Sequence, residues 1–291
     1  MSYDTTIKLV TEIMDELEAY RNRAVVIKIG GNSIAEDGNF LTKIAKQICF
    51  LRANGVRVVL VHGGGPQIDD ALRAKNVETS KGPDGRRVTT PQAMKIVHKT
   101  MCEVNLAVSA ALIKAGCKPQ TVVPASRIAK MFLQVTPADE ADKGKTNRIG
   151  KPSNVQSKIL QRHIDKGRIV VLHSVGIGPD GRTVFNVNGD DYAMAVAIAL
   201  KAKRLIMVTN VAGVLDKNRE RIPVLDPDMA AQLMADKTIT GGMIPKVESA
   251  VNVVKQGVGG VAIIDGFAPY ALLAEMLTHE GYGTLVRTKV G

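Results

Sequence analysis

Tryptophan is absent from the 291 residues and aromatics make up only 3% of them, so Val, Ile, Leu, Ala and Met carry the 45% hydrophobic content. Stacking platforms for nucleic-acid bases need aromatics interleaved with basic residues, and that pattern is missing, as is any dense basic run. Cysteine is scarce: Cys49, Cys102 and Cys117 are an odd number at wide spacings with no Cys-x-x-Cys. This supports neither a disulfide framework nor a zinc site and predicts reduced, partly buried thiols. No apolar run approaches the roughly 20 residues of a membrane span, and Met1 to Thr6 lacks a basic-then-apolar signal. The expectation is a cytoplasmic protein with no membrane and no nucleic-acid partner. Acidic residues are in deficit, 28 against 39 lysines and arginines, for a net charge of +11. Because the excess is dispersed, it suits a solvated surface that attracts anionic substrates, or an acidic protein partner.

Glycine, in contrast, is plentiful and stands where apolar runs end. Ala24 to Ile27 leads into Lys28-Ile29-Gly30-Gly31, and Val56 to Val61 leads into His62-Gly63-Gly64-Gly65. Neither run alternates, which is the pattern of a parallel strand covered on both faces. The glycines then fall at the carboxyl ends of strands, where open α/β sheets bind ligands and bare backbone can approach an anion. The loops match neither P-loop nor dinucleotide spacing, so plain tight turns compete with this reading. Lys28 adds a positive charge at the mouth of the first loop and favours phosphate.

Helix and strand signals alternate along the chain. Ile7, Val10, Ile13, Met14 and Leu17 have helical spacing, so the chain opens with an amphipathic helix that packs on its own domain or on another subunit. Phe40 to Ala53 reads as the crossover between the glycine-ended strands and Pro91 to Ala115 as one or two long helices. Further strands are expected at Val122-Val123, Arg168 to His173, Leu205 to Thr209 and Gly260 to Asp265, with a hairpin turning at Asp180-Gly181. Met131 to Val135 reads as a short strand and Thr136 to Ser153 as a mobile loop. The whole predicts an α/β fold, a three-layer αβα sandwich with a mainly parallel central sheet. Residues 1–291 form a single domain with two lobes, about 1–180 and 181–291.

Three clusters carry chemistry beyond the glycine loops. Asn186 to Asp191 gathers amides and carboxylates before a helical stretch, as a helix cap or a site. Thr240 to Lys246 pairs glycines with a second lysine at a helix start, whose free N–H groups suit phosphate. Thr209 to Val214 ends a strand in small residues that can face a nucleotide. His62 has no second ligand at local spacing and reads as a structural or hydrogen-bonding residue.

With these residues in order, the chain resembles the amino acid kinase family, and within it the branch that phosphorylates N-acetyl-L-glutamate in arginine biosynthesis. The motifs are Lys28 to Gly31, His62 to Gly65, Arg87 to Thr89, Asn186 to Asp190 and Gly241 to Lys246, with Ile264 to Gly266 and Glu280 to Thr284 near the end. The resemblance implies transfer of phosphate from ATP, with Mg²⁺, to a side-chain carboxylate. That acceptor is ionised at neutral pH and needs no general base, so catalysis must lie in alignment and charge stabilisation. Carried over, Lys28 and Lys246 neutralise the transferring phosphate and Asp190 organises them. Gly30, Gly31, Gly64 and Gly65 line the phosphoryl path, and Arg87, with Arg86 as a rival, holds the substrate α-carboxylate beside Asn186. Thr209, Asn210, Gly213 and Gly242 contact the nucleotide. No residue is assigned to a protein-bound metal. The first lobe would bind the amino acid and dimerise; the second would bind the nucleotide.

The chain departs from the family pattern at Asn210, where an aspartate is usual, and at Val123 to Arg127 and Thr146 to Lys151, which would cover the acyl amino acid. A carboxylate on an acidic carrier protein, or a silent amino-acid-binding regulator, are the alternatives. The resemblance implies a homodimer, or a hexamer built as a trimer of dimers interlaced through the N-terminal helix, and raises feedback by arginine.

Overall fold

The apolar runs become strands buried on both faces, because alternate residues of one strand serve two different cores. The structure is a computed structural model, and it describes residues 3–36, 38–82, 86–127 and 133–289. In the first half, α1 (Tyr3–Tyr20), β1 (Ala24–Ile29), α2 (Gly31–Glu36), α3 (Phe40–Ala53), β2 (Arg57–His62), α4 (Gly65–Arg73) and α5 (Pro91–Lys114) lead to β3 (Val122–Pro124). Then follow β4 (Leu133–Pro137), β5 (Ile149–Val155), α6 (Ser157–Ile164), β6 (Ile169–His173), β7 (Val175–Ile177), β8 (Val184–Val187) and α7 (Gly189–Ala199). The chain closes with β9 (Arg204–Thr209), β10 (Val224–Leu225), α8 (Pro227–Ala235), α9 (Met243–Lys255), β11 (Val261–Asp265), α10 (Ala271–Leu277) and β12 (Thr284–Val286).

The main sheet has eight strands in the order β10-β12-β11-β9-β1-β2-β6-β3, parallel except where β11 meets β12. Val26, Val59, Val170 and Leu205 point to one side, onto Leu160 of α6, Tyr192 and Val196 of α7, and Val247 of α9. Val25, Ile27, Val58, Leu60 and Ile206 point to the other, onto Ile44 and Ile48 of α3, Val108 of α5 and Leu272 of α10. This is the expected αβα sandwich. Each such side chain contributes about 1.5–3 kcal/mol on burial, far more than the strand propensity of any single residue. In β1 only Ala24 and Lys28 escape full burial, and Lys28 sits near the carboxyl end where its amine can leave the sheet.

Three expectations are corrected. The stretch from Thr136 to Ser153 is a folded unit: β5 pairs antiparallel with β4, and the strands β4-β5-β8-β7 close on themselves. Phe185 fills this small barrel, and a Cβ on Gly144, Gly150 or Gly178 would lie within 2.9 Å of its side chain. The turn before β5 is held by Asp142, which accepts from the Thr146 and Asn147 amides at 3.0 Å each. These are side-chain-to-backbone bonds that leave no periodic signal. Of the short strand read over Met131 to Val135, the part at 131 and 132 lies outside the described residues.

The second correction concerns cysteine. Cys49 of α3 and Cys117, just beyond α5, are joined as a disulfide with their Cα atoms 5.7 Å apart. Their separation of 68 residues hid the pairing, which arises because α3 and α5 lie side by side on one face of the sheet. The third concerns α5, which by length and composition alone is apolar enough to cross a membrane. Charged residues at Lys95, Lys99 and Glu103 broke up the apolar run in the sequence. The helix instead buries Met94, Val97, Met101, Val104, Val108 and Leu112 within the fold.

Helix α5 also carries a polar hub. Asn105, fully buried, donates through Nδ2 to Val171 O at 2.9 Å and to His62 Nε2 at 3.0 Å, and its Oδ1 accepts from Ser126 N at 3.0 Å. His62 therefore carries its proton on Nδ1, which donates to Gly63 O at 2.9 Å. Burial lowers the His62 pKa to about 4, so the ring is neutral and pins the first glycine of its loop. Between about pH 6.5 and 4 the unfolded chain binds a proton at this position that the native chain refuses. Stability contributed by neutral His62 is thus complete above pH 6.5 and is lost progressively as the pH falls through this interval. Urea denaturation across this interval should give a shallower pH slope for His62→Gln than for the wild type; equal slopes would remove His62 as the titrating group.

Candidate active site

Register decides which loops meet. Ile29 lies opposite His62 on one side and Val208 on the other, while His62 lies opposite His173. The loops after β1, β2, β6 and β9 therefore emerge together at one edge, the crevice where open parallel sheets bind ligands. Here the two glycine runs touch. Gly63 N donates to Ile29 O at 3.0 Å, and a Cβ on Gly31 would stand 2.6 Å from Gly65 N and 2.8 Å from Gly64 Cα. No side chain fits between them. Helix α4 starts at Gly65 without a side-chain cap, which leaves its first amides available to an anion.

A cavity of about 420 Å³ opens over these loops. It gathers most of the residues expected from sequence: Lys28, Gly30, Gly31, Gly64, Gly65 and Arg87 from the first half, and Asn186, Asp190, Thr209, Asn210 and Lys246 from the second. A neighbouring cavity of about 350 Å³ shares Asp190, Thr209 and Lys246 with it and reaches Gly242. Its floor is apolar, formed by Leu205, Met207, Val261 and Ile263. Gly213 stands apart. Its φ is +137°, and a Cβ there would lie 2.5 Å from Thr284 Oγ1, whose hydroxyl accepts from Val214 N, so Gly213 makes room for a packing contact.

The Lys28 ammonium meets Asp190 Oδ1 at 2.6 Å, with the side chains 14% and 33% exposed. Asp190 is aimed by the helix cap before it: Asn188 Oδ1 accepts from Asp190 N at 2.8 Å and Asp191 N at 3.2 Å. The cluster from Asn186 to Asp191 is thus both a helix cap and part of the cavity wall. Lys246 enters from the first turns of α9, whose start at Gly242 has no side-chain cap.

The two arginines diverge. Arg87 pairs with Asp69 of α4 and donates to Thr79 Oγ1 at 3.0 Å, whereas Arg86 pairs with Asp191 of α7 at 2.7 Å. Both line the larger cavity, and Arg86 also lines the second. Asn186 donates to Thr89 Oγ1 at 3.2 Å, which ties β8 to the arginine segment. Ile149 lines the larger cavity from the segment expected to cover the substrate, whereas sequence reasoning gave no role to Gly63, Asp69, Lys81, Ser174 and Asn188, which line it too. Gly63 was available from its own glycine run, and Asn188 from its cap position. The others come from separate elements with no local motif.

Five cationic side chains, Lys28, Lys81, Arg86, Arg87 and Lys246, face this cavity against Asp69 and Asp190. Such a surplus in a walled crevice concentrates anions. Backbone amides, two lysines and a fixed carboxylate then offer what transfer between two anions requires: alignment and shielding of charge.

The model of the amino acid kinase family matches residues 23–265. The chain is 36% identical to a protein named acetylglutamate kinase from Afipia carboxidovorans, over 96% of each chain. Among solved structures, a Streptococcus mutans UA159 protein is 30% identical over 91% of this chain and 99% of its own, with a TM-score of 0.71. The fold also matches an N-acetylglutamate synthase of Neisseria gonorrhoeae complexed with coenzyme A and N-acetyl-glutamate, at 23% identity and a TM-score of 0.82. All of this chain aligns there, spanning 65% of that longer protein.

The backbone contact between the glycine loops makes a direct test. Gly31→Ala should weaken binding of inorganic pyrophosphate at least tenfold in calorimetry while the circular dichroism spectrum persists, because a Cβ must push the loops apart. Undiminished binding would show that the loops do not define the anion site.

Proposed function

The chain belongs to the amino acid kinase family, and on that premise we propose that it transfers the γ-phosphoryl group of ATP to the side-chain carboxylate of N-acetyl-L-glutamate. The product is an acyl phosphate on the route to arginine. The observation that carries this reading is the Lys28–Asp190 pair at 2.6 Å, set over touching glycine loops in a cavity rich in cations. The names of curated relatives over nearly the full length of the chain support the same substrate.

In this mechanism the acceptor carboxylate needs no proton removed, since it is ionised at neutral pH. Arg87, buttressed by Asp69 and Thr79, presents a planar fork to the substrate α-carboxylate, and Asn186 binds polar groups beside it. The amides of Gly30, Gly31, Gly64 and Gly65 line the path of the transferring group. Lys28 shields charge on it, and Lys246 acts toward the leaving side. Asp190 holds the Lys28 ammonium in place, so its charge is positioned before the reaction begins. Thr209, Asn210 and Gly242 serve the nucleotide, with the apolar floor of the second cavity beneath its base. Gly213 is assigned no contact.

Mg²⁺ is bound through one or two carboxylates plus substrate phosphates and keeps several waters. Asp190 is the carboxylate beside the cavity that would hold such an ion together with the nucleotide phosphates, and the ion would supply neutralisation of their charge. The amino acid then lies on the side of residues 1–180 and the nucleotide on that of 181–291. Both halves contribute strands to one sheet, so the lobes are continuous. The chain acts in the cytoplasm. A carrier-bound substrate rests on the altered segments at Val123 to Arg127 and Thr146 to Lys151 and on the net charge of +11, which the cationic cavity already uses. The set of Lys28, Asp190 and Lys246 weighs against a silent regulator.

Helix α1 supports assembly. Ile13, Leu17 and Tyr20 pack on the domain, while Tyr3, Ile7, Val10 and Met14 are between 48% and 79% exposed. Both readings of this helix thus apply to different faces of it, and the outer face suits a second copy interlaced into a homodimer or hexamer. A cavity of about 280 Å³ is lined by Glu16 of α1 and the turn at Thr278 to Gly281, with Glu275 and Glu280 set against Arg204 and Arg287. Carboxylates and guanidiniums together suit the two ends of free arginine as a feedback ligand.

An ATP-dependent hydroxamate assay should give product with N-acetyl-L-glutamate and little with glutamate; no turnover with any free acyl amino acid despite ATP binding defeats the proposal. Lys246→Ala and Asp190→Ala should each lower kcat by about 10²–10³ with the fold intact, the range typical of lost charge stabilisation. Near-normal turnover in either variant rejects its role. Light scattering of a chain lacking Met1 to Tyr20 should show a smaller particle than the full chain, and an unchanged mass would remove the interlacing helix.

A further inference from the structure

We propose that His98, Cys102 and His173 form a transition-metal site, suited to Zn²⁺, behind the glycine loops and separate from the phosphoryl-transfer centre. His98 and Cys102 stand four residues apart on α5 and so share one face of the helix. His173 ends β6, against which α5 packs. The ligand atoms of the three residues all lie within 4.8 Å of one another. Cys102 Sγ is 3.9 Å from His173 Nε2. Tetrahedral zinc, with bonds of about 2.0–2.1 Å to nitrogen and 2.3 Å to sulfur, sets such atoms about 3.5 Å apart. A small inward movement of half-buried side chains closes the set.

A second, independent observation points to a ligand. His173 is 1% exposed, its Nδ1 has no hydrogen-bond partner among the described residues, and the Cys102 sulfur stands 3.9 Å from its Nε2. A buried imidazole left in this way lacks the usual satisfaction of polar groups. The edge-to-face His98 and His173 rings, with centroids 6.1 Å apart, complete a donor set of one sulfur and two imidazoles. That set selects zinc, cobalt or copper over magnesium, whose preferred donors are oxygens. Binding is balanced by one proton: the Cys102 thiol loses it to solvent as the sulfur–metal bond forms, and both histidines bind as neutral rings. His98 and Cys102 are only partly buried, so an ion can enter, and a fourth position is left to water.

The expectation of no metal site, read from spacing along the chain, is revised on this point. The site has a structural consequence for the reaction centre without joining it. Met101 precedes Cys102, and its sulfur stands 2.6 Å from where a Gly64 Cβ would be; Ser174, which follows His173, lines the main cavity. Cys102 Sγ also donates to Ser126 O at 3.2 Å. An ion here fastens α5 to β6 beneath the second glycine loop, and the S–H bond to Ser126 O is given up when the thiolate forms.

The full chain, purified metal-free with its Cys49–Cys117 disulfide retained, is titrated with Co²⁺ and with Zn²⁺ alone. The expected result is about one ion per chain, a thiolate-to-cobalt charge-transfer band, and a rise in thermal midpoint on metal addition. Cys102→Ser and His98→Gln, chosen because neither residue is fully buried, should lose the band and weaken binding at least tenfold. Cys49→Ser/Cys117→Ser should bind as the wild type does. Failure of the wild type to bind Zn²⁺, or wild-type binding by Cys102→Ser and His98→Gln, would overturn the site. None of these three readouts depends on kinase activity.

Discussion

The approach of two backbone loops, at the ends of neighbouring parallel strands, is the constraint on which the rest of the structure depends. Gly31 and Gly64 pack without side chains between them, so the loops after β1 and β2 form one surface of amides. That closeness is possible only because β1 and β2 are adjacent and in register, Ile29 opposite His62. Adjacency in turn rests on α3, which must bury its apolar face on the sheet to return the chain to the next strand. A hydrophobic requirement therefore fixes a polar site. The register that hides Val25, Ile27, Val58 and Leu60 in one core also delivers the glycines to a common edge.

Charge is organised by the same economy of elements. Asn188 caps α7, and the cap orients Asp190 toward Lys28. Asp69 on α4 and Asp191 on α7 pull Arg87 and Arg86 to opposite walls. Partly buried pairs of this kind add little stability once desolvation is counted, but they keep long cationic side chains in one geometry. For a reaction between two anions, positions fixed beforehand matter more than the strength of any one pair. The surplus of positive groups lining the cavity makes it attractive to anions.

Helix α5 does unlike things along its length. Long and apolar enough by composition to cross a membrane, it packs here on α3, α4 and β6, and Asn105 satisfies groups on β2, β6 and the segment at Ser126. Neutral His62 passes that order on to Gly63. One turn toward the start of the helix, Cys102 and His98 meet His173. A polar hub and a soft donor set thus lie side by side under the second glycine loop, outside the cavity but attached to its floor.

By itself the sequence determined the layers and the cradle. Unalternating apolar runs made β1, β2, β6, β9 and β11 buried strands, helical spacing made α1, α3 and α5, and the glycines with Lys28, Asp190, Arg87 and Lys246 came together around one cavity. These signals are local, arising from residues within a few positions of one another. Tertiary structure alone decided the partners: Cys49 with Cys117, Asp69 with Arg87, His98 and Cys102 with His173, and the removal of Gly213 to a packing contact with Thr284. It also turned the polar stretch after Thr136 into a closed barrel around Phe185, through bonds from Asp142 that have no period to read. Periodicity records which face of an element is buried. It does not record which distant element lies against that face, because the choice is made by the packing of all the layers together.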